Sequence, residues 1–213
     1  MWGMKMKKTI LDKLNEGRQY RNFATIEKTD EKTVEGYATV FDQPYELFRD
    51  GQYSVWEQID KKAFDETEMD DVIMQYNHEG RVFARKSNGT LELQANDEGL
   101  HVRADLGGTE IGRQLYEEIA GGYTTKMSFG FRVGKDEFTE TEDHDTGEVR
   151  VLRTILGISK LYDVSAVSLP ANDATSISAR TFGEGVIAEM KQEMQNRLER
   201  ERQKKRIKIL SEV

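Results

Sequence analysis

Between residues 23 and 170 the chain consists mostly of short runs in which apolar and polar residues alternate, separated by turn residues. Side chains of a strand point alternately to its two faces, so this alternation predicts strands with one buried face. Asn88-Gly89 and Asp97-Glu98-Gly99 predict tight turns between neighbouring strands, and therefore a meander of hairpins. The body of the chain is predicted to be mainly β.

A few segments have a helical pattern instead. Residues 109–120, TEIGRQLYEEIA, carry apolar residues at every fourth position and predict an amphipathic helix that the following Gly-Gly pair ends. Asp60 is expected to cap a short helix in DKKAFDET. A helical turn is also expected around residues 10–14.

The composition changes beyond Phe182. From Glu184 the chain holds eight lysines and arginines against six glutamates, so the tail carries about +2 and the remainder about −10 of the net charge of −8. The spacing of Ile187, Met190 and Met194 is heptad-like but is not sustained, which argues against a fully packed coiled coil. The pattern predicts a charged, largely solvated helix.

These boundaries divide the chain into three predicted parts. Residues 1–22 are expected to be a leader that is poorly ordered or forms a short helix, residues 23–182 the β domain and residues 183–213 the charged helical tail.

Composition also excludes several classes of protein. The acidic net charge of −8 argues against a dedicated nucleic-acid binder. No apolar run approaches the ~20 residues that a membrane-spanning helix needs. With no cysteine, the chain has no disulfide, no thiol nucleophile and no cysteine-ligated zinc. We expect a cytosolic protein without cofactor or metal, and with no direct contact to nucleic acid or membrane.

The stretch AGGYTTKMSFGF, residues 120–131, contains a candidate nucleophile. By the period of two, Met127 and Phe129 face the core and anchor the strand, whereas Ser128 and Gly130 face the other way. Gly130 has no side chain, which leaves the backbone beside Ser128 open to close approach by another chain. The alternative is that Ser128 is an ordinary solvent-facing strand serine.

A serine nucleophile needs a base, and the base needs a third group to orient it. His78 ends an apolar strand in QYNHEG, where a scaffold can present it to a cleft. Asp163 is a carboxylate inside the apolar run LYDVSAVSL, and a buried charge requires a partner. That partner is either a histidine or backbone donors, Lys160 or Arg153.

The ordered set of motifs GYATVFD, AFDE, YNHEG, DEGLHVRADL, KMSFGF after a helix and Gly-Gly, and LYDVSAVSLPAND is specific. With it the chain resembles the prohead maturation protease family of tailed bacteriophages, related in fold and chemistry to the herpesvirus assemblin protease. The resemblance covers residues 24–179. It implies Ser128 as nucleophile, His78 as general base and Asp163 as third member. That family more usually has glutamate where this chain has Asp163.

The resemblance implies a fold and a biological role. The expected fold is a closed, mainly antiparallel, assemblin-like β-barrel with flanking helices and the charged helical tail. The expected function is that of a serine endopeptidase acting inside the assembling prohead in the host cytoplasm. It would cleave the scaffold and the major capsid protein and then itself, with the portal as a further neighbour and a homodimer expected by analogy. The tail would dock the protease or be removed by self-cleavage.

The sequence also allows other interpretations. Assemblins use a second histidine as third member, which makes His144 an alternative to Asp163. A non-catalytic assembly or scaffold module with the same barrel has no need of Ser128, His78 and Asp163 together. A cation-binding domain would use the acidic EDHD loop around His144. If His78 is the base, activity should rise with pH near ~6.5, the ordinary pKa of histidine.

Overall fold

The computed structural model describes residues 17–29, 32–168 and 177–211, and the helical turn predicted around residues 10–14 lies outside them. The strands, in chain order, are β1 (Gln19–Lys28), β2 (Thr33–Val40), β3 (Tyr45–Asp50), β4 (Tyr53–Ile59), β5 (Ile73–Tyr76), β6 (Glu79–Arg85), β7 (Leu91–Ala95), β8 (Gly99–Asp105), β9 (Lys126–Glu142) and β10 (Val149–Val167). The α-helices are α1 (Glu110–Ala120) and α2 (Ile177–Ser211), and Lys86–Asn88 form a single turn of 3₁₀ helix between β6 and β7. The prediction of a mainly β chain is confirmed.

The ten strands form one sheet, and most of them follow a single path. The order along that path is β3-β4-β10-β9-β1-β2-β8-β7, with the β5–β6 hairpin attached to β10 beside it. The two longest strands, β9 and β10, run antiparallel over nearly their whole length. The other edge of β10 is shared, because β4 pairs with its first half and β5 with its second half, both in parallel.

The predicted closed antiparallel barrel is wrong. Among the described residues, β3 and β7 end the path and do not pair with each other, so the sheet stays open. A barrel forms when its two edge strands pair and so bury their inner face. Here α2 buries the β3–β4 end of the sheet instead, so that end has no need of a partner strand.

The predicted charged helix is present as α2, and its first half is part of the packed body. Phe182, Val186 and Met190 are buried in a second apolar cluster with Val55 and Val151 of β4 and β10. The predicted domain boundaries after residues 22 and 182 stay a prediction. In the structure, β1 begins before residue 22 and α2 begins before residue 182.

Two local predictions have different outcomes. The amphipathic helix is confirmed as α1, where the Thr109 hydroxyl accepts a hydrogen bond from the Gly112 amide at 3.0 Å and caps the first turn. The short helix after Asp60 is wrong. The Asp60 carboxylate does accept from the Lys62 amide at 2.8 Å, but the segment forms successive turns rather than a helix.

The main core lies on the face of β9 that carries Met127, Phe129 and Phe131, all of them fully buried. This agrees with the alternation predicted for that strand. In the described part of the chain, no helix is long and apolar enough to cross a membrane.

Candidate active site

The pairing of β9 with β10 brings Ser128 and Asp163 onto the same face of the sheet. Ser128 lies opposite Ser165 in the register, and Asp163 lies opposite Gly130. Because side chains alternate along each strand, these four positions share the face opposite the aromatic core. The ladder alone therefore assembles a serine and a carboxylate at neighbouring positions.

His78 reaches this face from a tight turn. Tyr76 pairs with Glu79, so Asn77 and His78 form a two-residue hairpin loop, with left-handed φ values of 50° and 61°. Positive φ at both central residues is one of the two forms that two-residue hairpin loops favour, and it costs a non-glycine residue roughly 1–2 kcal/mol. Strained backbone of this kind concentrates at functional sites.

The turn is fastened to the end of β10. The amide of Asn77 donates to the carbonyl of Ala166 at 3.0 Å, and its side-chain oxygen accepts from the amide of Ser168 at 3.2 Å. These bonds hold the hairpin loop against the strand that carries Asp163.

The three side chains form one hydrogen-bonded chain. Nε2 of His78 lies 2.5 Å from Oγ of Ser128, and Nδ1 of His78 lies 2.5 Å from Oδ2 of Asp163. An ionised carboxylate only accepts hydrogen bonds, so Nδ1 carries the imidazole proton and Nε2 is left to accept from the serine hydroxyl. The serine proton can then move to Nε2 as Oγ attacks, with Asp163 stabilising the resulting imidazolium.

Asp163 is fully buried, and its environment uses both carboxylate oxygens. Oδ2 accepts from Nδ1 of His78 and from the Ser165 hydroxyl at 2.9 Å, while that hydroxyl accepts from the His78 amide at 3.2 Å. Oδ1 accepts from the guanidinium of Arg18. The carboxylate thus has partners on both sides, as a buried charge requires.

Burial, together with the nearby guanidinium of Arg18, lowers the pKa of His78 from 6.5 to about 4. Desolvation disfavours the charged imidazolium, and the guanidinium repels it. The imidazole is therefore neutral, and available as a base, across the neutral pH range. The rise in activity expected near ~6.5 from the ordinary pKa of histidine moves accordingly to about pH 4.

Ser128 is fully buried in this conformation, whereas 14% of the His78 side chain is exposed. A reacting carbonyl carbon must come within about 3–3.5 Å of Oγ. The surroundings of Ser128 therefore have to open before a peptide can reach it.

The other predicted site residues lie in different places. Met127 and Phe129 are fully buried in the core behind Ser128. Gly130 lies beneath the Arg18–Asp163 pair, and the substrate-approach role suggested for it stays a prediction.

His144 is exposed in the loop between β9 and β10. Along β9, Ser128 and Glu142 are 142 − 128 = 14 positions apart, a strand length of roughly 45 Å. The structure therefore does not bring His144 to the serine. In the same loop, the Asp143 carboxylate accepts from the amides of Asp145 at 2.9 Å and Thr146 at 3.3 Å, which makes it part of the turn. Within the described ranges, no cluster of three metal-ligating side chains occurs.

Three residues at the site were missed by the sequence analysis. Ser165 follows Asp163 by two positions, so the period of two places it on the same face, and this signal was available. Arg18 and Tyr20 fall in the segment predicted as a leader. No pattern in the sequence links them to a strand about 145 positions away. The Tyr20 ring centroid lies 4.2 Å from that of His78.

Comparison with known proteins gives one positive result. Neither a curated protein nor a solved structure matches the chain. The family model described as caudovirus prohead serine protease matches residues 21–193, which include Ser128, His78 and Asp163. Because the match covers most of the sequence, the chain belongs to the caudovirus prohead serine protease family, whose members are proteases of phage capsid maturation.

Proposed function

We propose that this protein is a serine endopeptidase that processes the scaffold and the major capsid protein during prohead maturation. Ser128 is the nucleophile, His78 the general base and Asp163 the group that orients the imidazole. The observation that carries the proposal is the hydrogen-bonded chain from Oγ of Ser128 through His78 to Asp163, with 2.5 Å at each link. The resemblance leads us to expect glutamate more often at this position, but the shorter side chain of Asp163 still reaches Nδ1 of His78 at 2.5 Å. This contact supports aspartate as the third member here.

The reaction follows from these contacts. Oγ of Ser128 attacks the scissile carbonyl carbon while Nε2 of His78 takes its proton. The C–N bond then breaks, the leaving amine takes that proton from Nε2, and an acyl ester remains on Ser128. Water attacks the ester with its proton passing to Nε2, and release of the new carboxyl end restores the serine.

The place of action is proposed to be the interior of the assembling prohead in the host cytoplasm. The far half of α2 is proposed to dock the protease on its scaffold or capsid partner, or to be removed by self-cleavage. Its high charge and the buried anchor at Phe182 and Met190 support a segment that is fixed at one end and available to a partner at the other. A neighbouring portal and a homodimer are part of the same proposal by analogy with related proteases.

The experiment is co-expression with the major capsid protein of the same phage, followed by intact-mass spectrometry of both chains. Wild type should yield a truncated capsid protein and a shortened protease, whereas Ser128→Ala should leave both at full length. Ser87→Ala, at an exposed serine, is the matched control and should behave as wild type. Uncut masses for wild type in assembled shells would instead favour the non-catalytic assembly module.

A further inference from the structure

Both oxygens of the Asp163 carboxylate are bound. The proposed triad explains the contact of Oδ2 with His78 but not the contact of Oδ1 with Arg18. We propose that Arg18 is a positioning residue: its guanidinium binds Oδ1 of Asp163 and thereby holds the carboxylate with Oδ2 facing His78. This inference rests on the proposed function in one respect, namely that Asp163 is the third member of the triad. Arg18 precedes residues 21–193, which the family model matches.

The first support is the chemistry of a buried carboxylate. Asp163 is fully buried, and the hydroxyl of Ser165 and Nδ1 of His78 both bind Oδ2. Without a cation at Oδ1, the carboxylate would carry an uncompensated charge in the interior, and it would turn or take up a proton. Arg18 provides that cation from β1's N-terminal end.

The second support is the way in which Arg18 itself is held. Its guanidinium lies over the ring of Tyr162, 4.8 Å from the centroid, and over the ring of Tyr20, 5.2 Å from the centroid. Cation–π contacts on two rings fix the plane of the group and leave one third of the side chain exposed. The arginine is thus anchored by rings from both β1 and β10, one of which also packs on His78.

The third support is the space reserved for the ion pair. A Cβ on Gly130 would overlap Oδ1 of Asp163 and would lie 2.7 Å from Nε of Arg18. Glycine at this position therefore leaves room for the two charged groups on the sheet surface. The three atoms nearest to such a Cβ all belong to Asp163 and Arg18.

Because Arg18 binds the carboxylate that contacts His78, its removal should change the titration of His78, which removal of a surface ion pair elsewhere would not do. The groups that face His78 are Asp163 from β10, Tyr20 from β1 and Arg18, which immediately precedes β1, with the Ser128 hydroxyl at Nε2. If the cation is removed, the buried carboxylate attracts a proton to the Asp163–His78 pair. The pH at which His78 loses its proton should then rise.

Two measurements test this on the full-length protein. The first is the ring-nitrogen NMR titration of His78, which requires no activity. The second is the rate at which a fluorophosphonate modifies Ser128 between pH 4 and 8. In that reaction the bond from Oγ to phosphorus forms, fluoride leaves, and the serine proton passes to His78. The variants are Arg18→Met, Arg18→Lys and the control Arg103→Met, whose arginine forms a surface ion pair with Glu35.

In Arg18→Met we expect the His78 titration midpoint to rise by about one pH unit or more. The modification rate at pH 7 should fall on the order of tenfold or more, because the imidazole is no longer held in the orientation that the reaction needs. Arg18→Lys should keep most of the wild-type midpoint because it keeps the charge, and Arg103→Met should match wild type. An unchanged His78 midpoint in Arg18→Met overturns the inference, as does an Arg18→Lys variant that behaves like Arg18→Met. If Arg18→Met does not fold, Arg18→Gln, which also removes the charge, decides by the same midpoint: a midpoint equal to that of wild type overturns the inference.

The two proposals fail in different ways. If Ser128→Ala is modified as fast as wild type, the proposed nucleophile is wrong, while the NMR titration still decides the part played by Arg18. If wild type is modified and Ser128→Ala is not, while the His78 titration is the same with and without Arg18, the proposed nucleophile is supported and the proposed positioning role of Arg18 is wrong.

Discussion

The carboxylate of Asp163 fills the space where any residue other than glycine at position 130 would carry its Cβ. The two residues lie opposite each other in the β9–β10 ladder, and an ideal Cβ on Gly130 would overlap Oδ1. Since Asp163 is also bonded to His78, the smallest possible side chain on β9 would push on the group that orients the imidazole.

We therefore predict that Gly130→Ala loses most of its activity and stays folded. The added methyl group displaces the Asp163 carboxylate, and a base oriented wrongly lowers the rate by orders of magnitude. Capsid-protein processing and circular dichroism report the two properties separately. Gly157→Ala on β10, where the nearest atom to a Cβ is 3.5 Å away and the methyl group makes only an ordinary contact, is the control. Full processing by Gly130→Ala would contradict the link between Gly130 and the site.

The wild-type rate should be nearly independent of pH between 5 and 8 and should fall below about pH 4. Burial and the nearby Arg18 lower the pKa of His78 to about 4, so the neutral base persists to acidic pH and is lost only when the imidazole takes up a proton. A pH series of fluorophosphonate modification rates measures this directly. An inflection near 6.5, the ordinary histidine value, would show that His78 is solvated during the reaction.

A buried ion cluster around Glu57 should make the stability of the fold depend on pH in the acid range. Glu57 is fully buried and binds Arg153 at 2.7 Å and Arg21 at 2.5 Å. Burial alone would raise its pKa, but the two guanidinium groups outweigh burial and lower the pKa from 4.5 to about 2. The stabilisation is therefore complete above pH 4.5 and is lost as the pH falls towards 2.

Removing one cation tests whether the cluster stabilises the fold. Arg153→Met should destabilise the fold by about 3–5 kcal/mol at neutral pH, because one partner of a buried ion pair is lost. Urea unfolding gives the free energy, and Arg85→Met, at an exposed ion pair with Asp71, should leave the midpoint unchanged. Equal urea midpoints for Arg153→Met and wild type would show that the cluster contributes nothing net.

The first half of α2 should be needed for stability and the next turn should not. Met190 is 3% exposed in the second apolar cluster, whereas Met194 is 40% exposed one turn later. Met190→Ala should cost about 2–5 kcal/mol and Met194→Ala within about 0.5 kcal/mol. Thermal unfolding of the two variants distinguishes them. Equal losses would mean that the helix does not pack as described.

Local features of the chain were predictable because they depend on neighbouring residues. The alternation in KMSFGF placed Met127 and Phe129 in the core and Ser128 on the other face, as the structure has them. The same rule would have added Ser165 to the site. The cap at Thr109 follows from short-range hydrogen bonding in the same way.

Long-range features were not predictable from these patterns. A strand has the same alternation in a closed barrel as in an open sheet, so the sequence pattern does not determine whether β3 and β7 pair. The sheet stays open, and α2 packs Phe182 against β4 and β10 at the β3–β4 end. The contact of Arg18 with Asp163 was missed for the same reason, because the two residues are 145 positions apart in the sequence.

The central claim is that His78 and Asp163 activate Ser128 as a nucleophile, and mass mapping of a fluorophosphonate adduct tests it most directly. Wild type should carry one adduct, on the peptide that contains Ser128, whereas Ser128→Ala should carry none and His78→Gln should react orders of magnitude more slowly. An adduct on another serine, or one that persists unchanged in Ser128→Ala, would contradict the account. So would a wild-type protein that forms no adduct at Ser128 at any pH between 5 and 8.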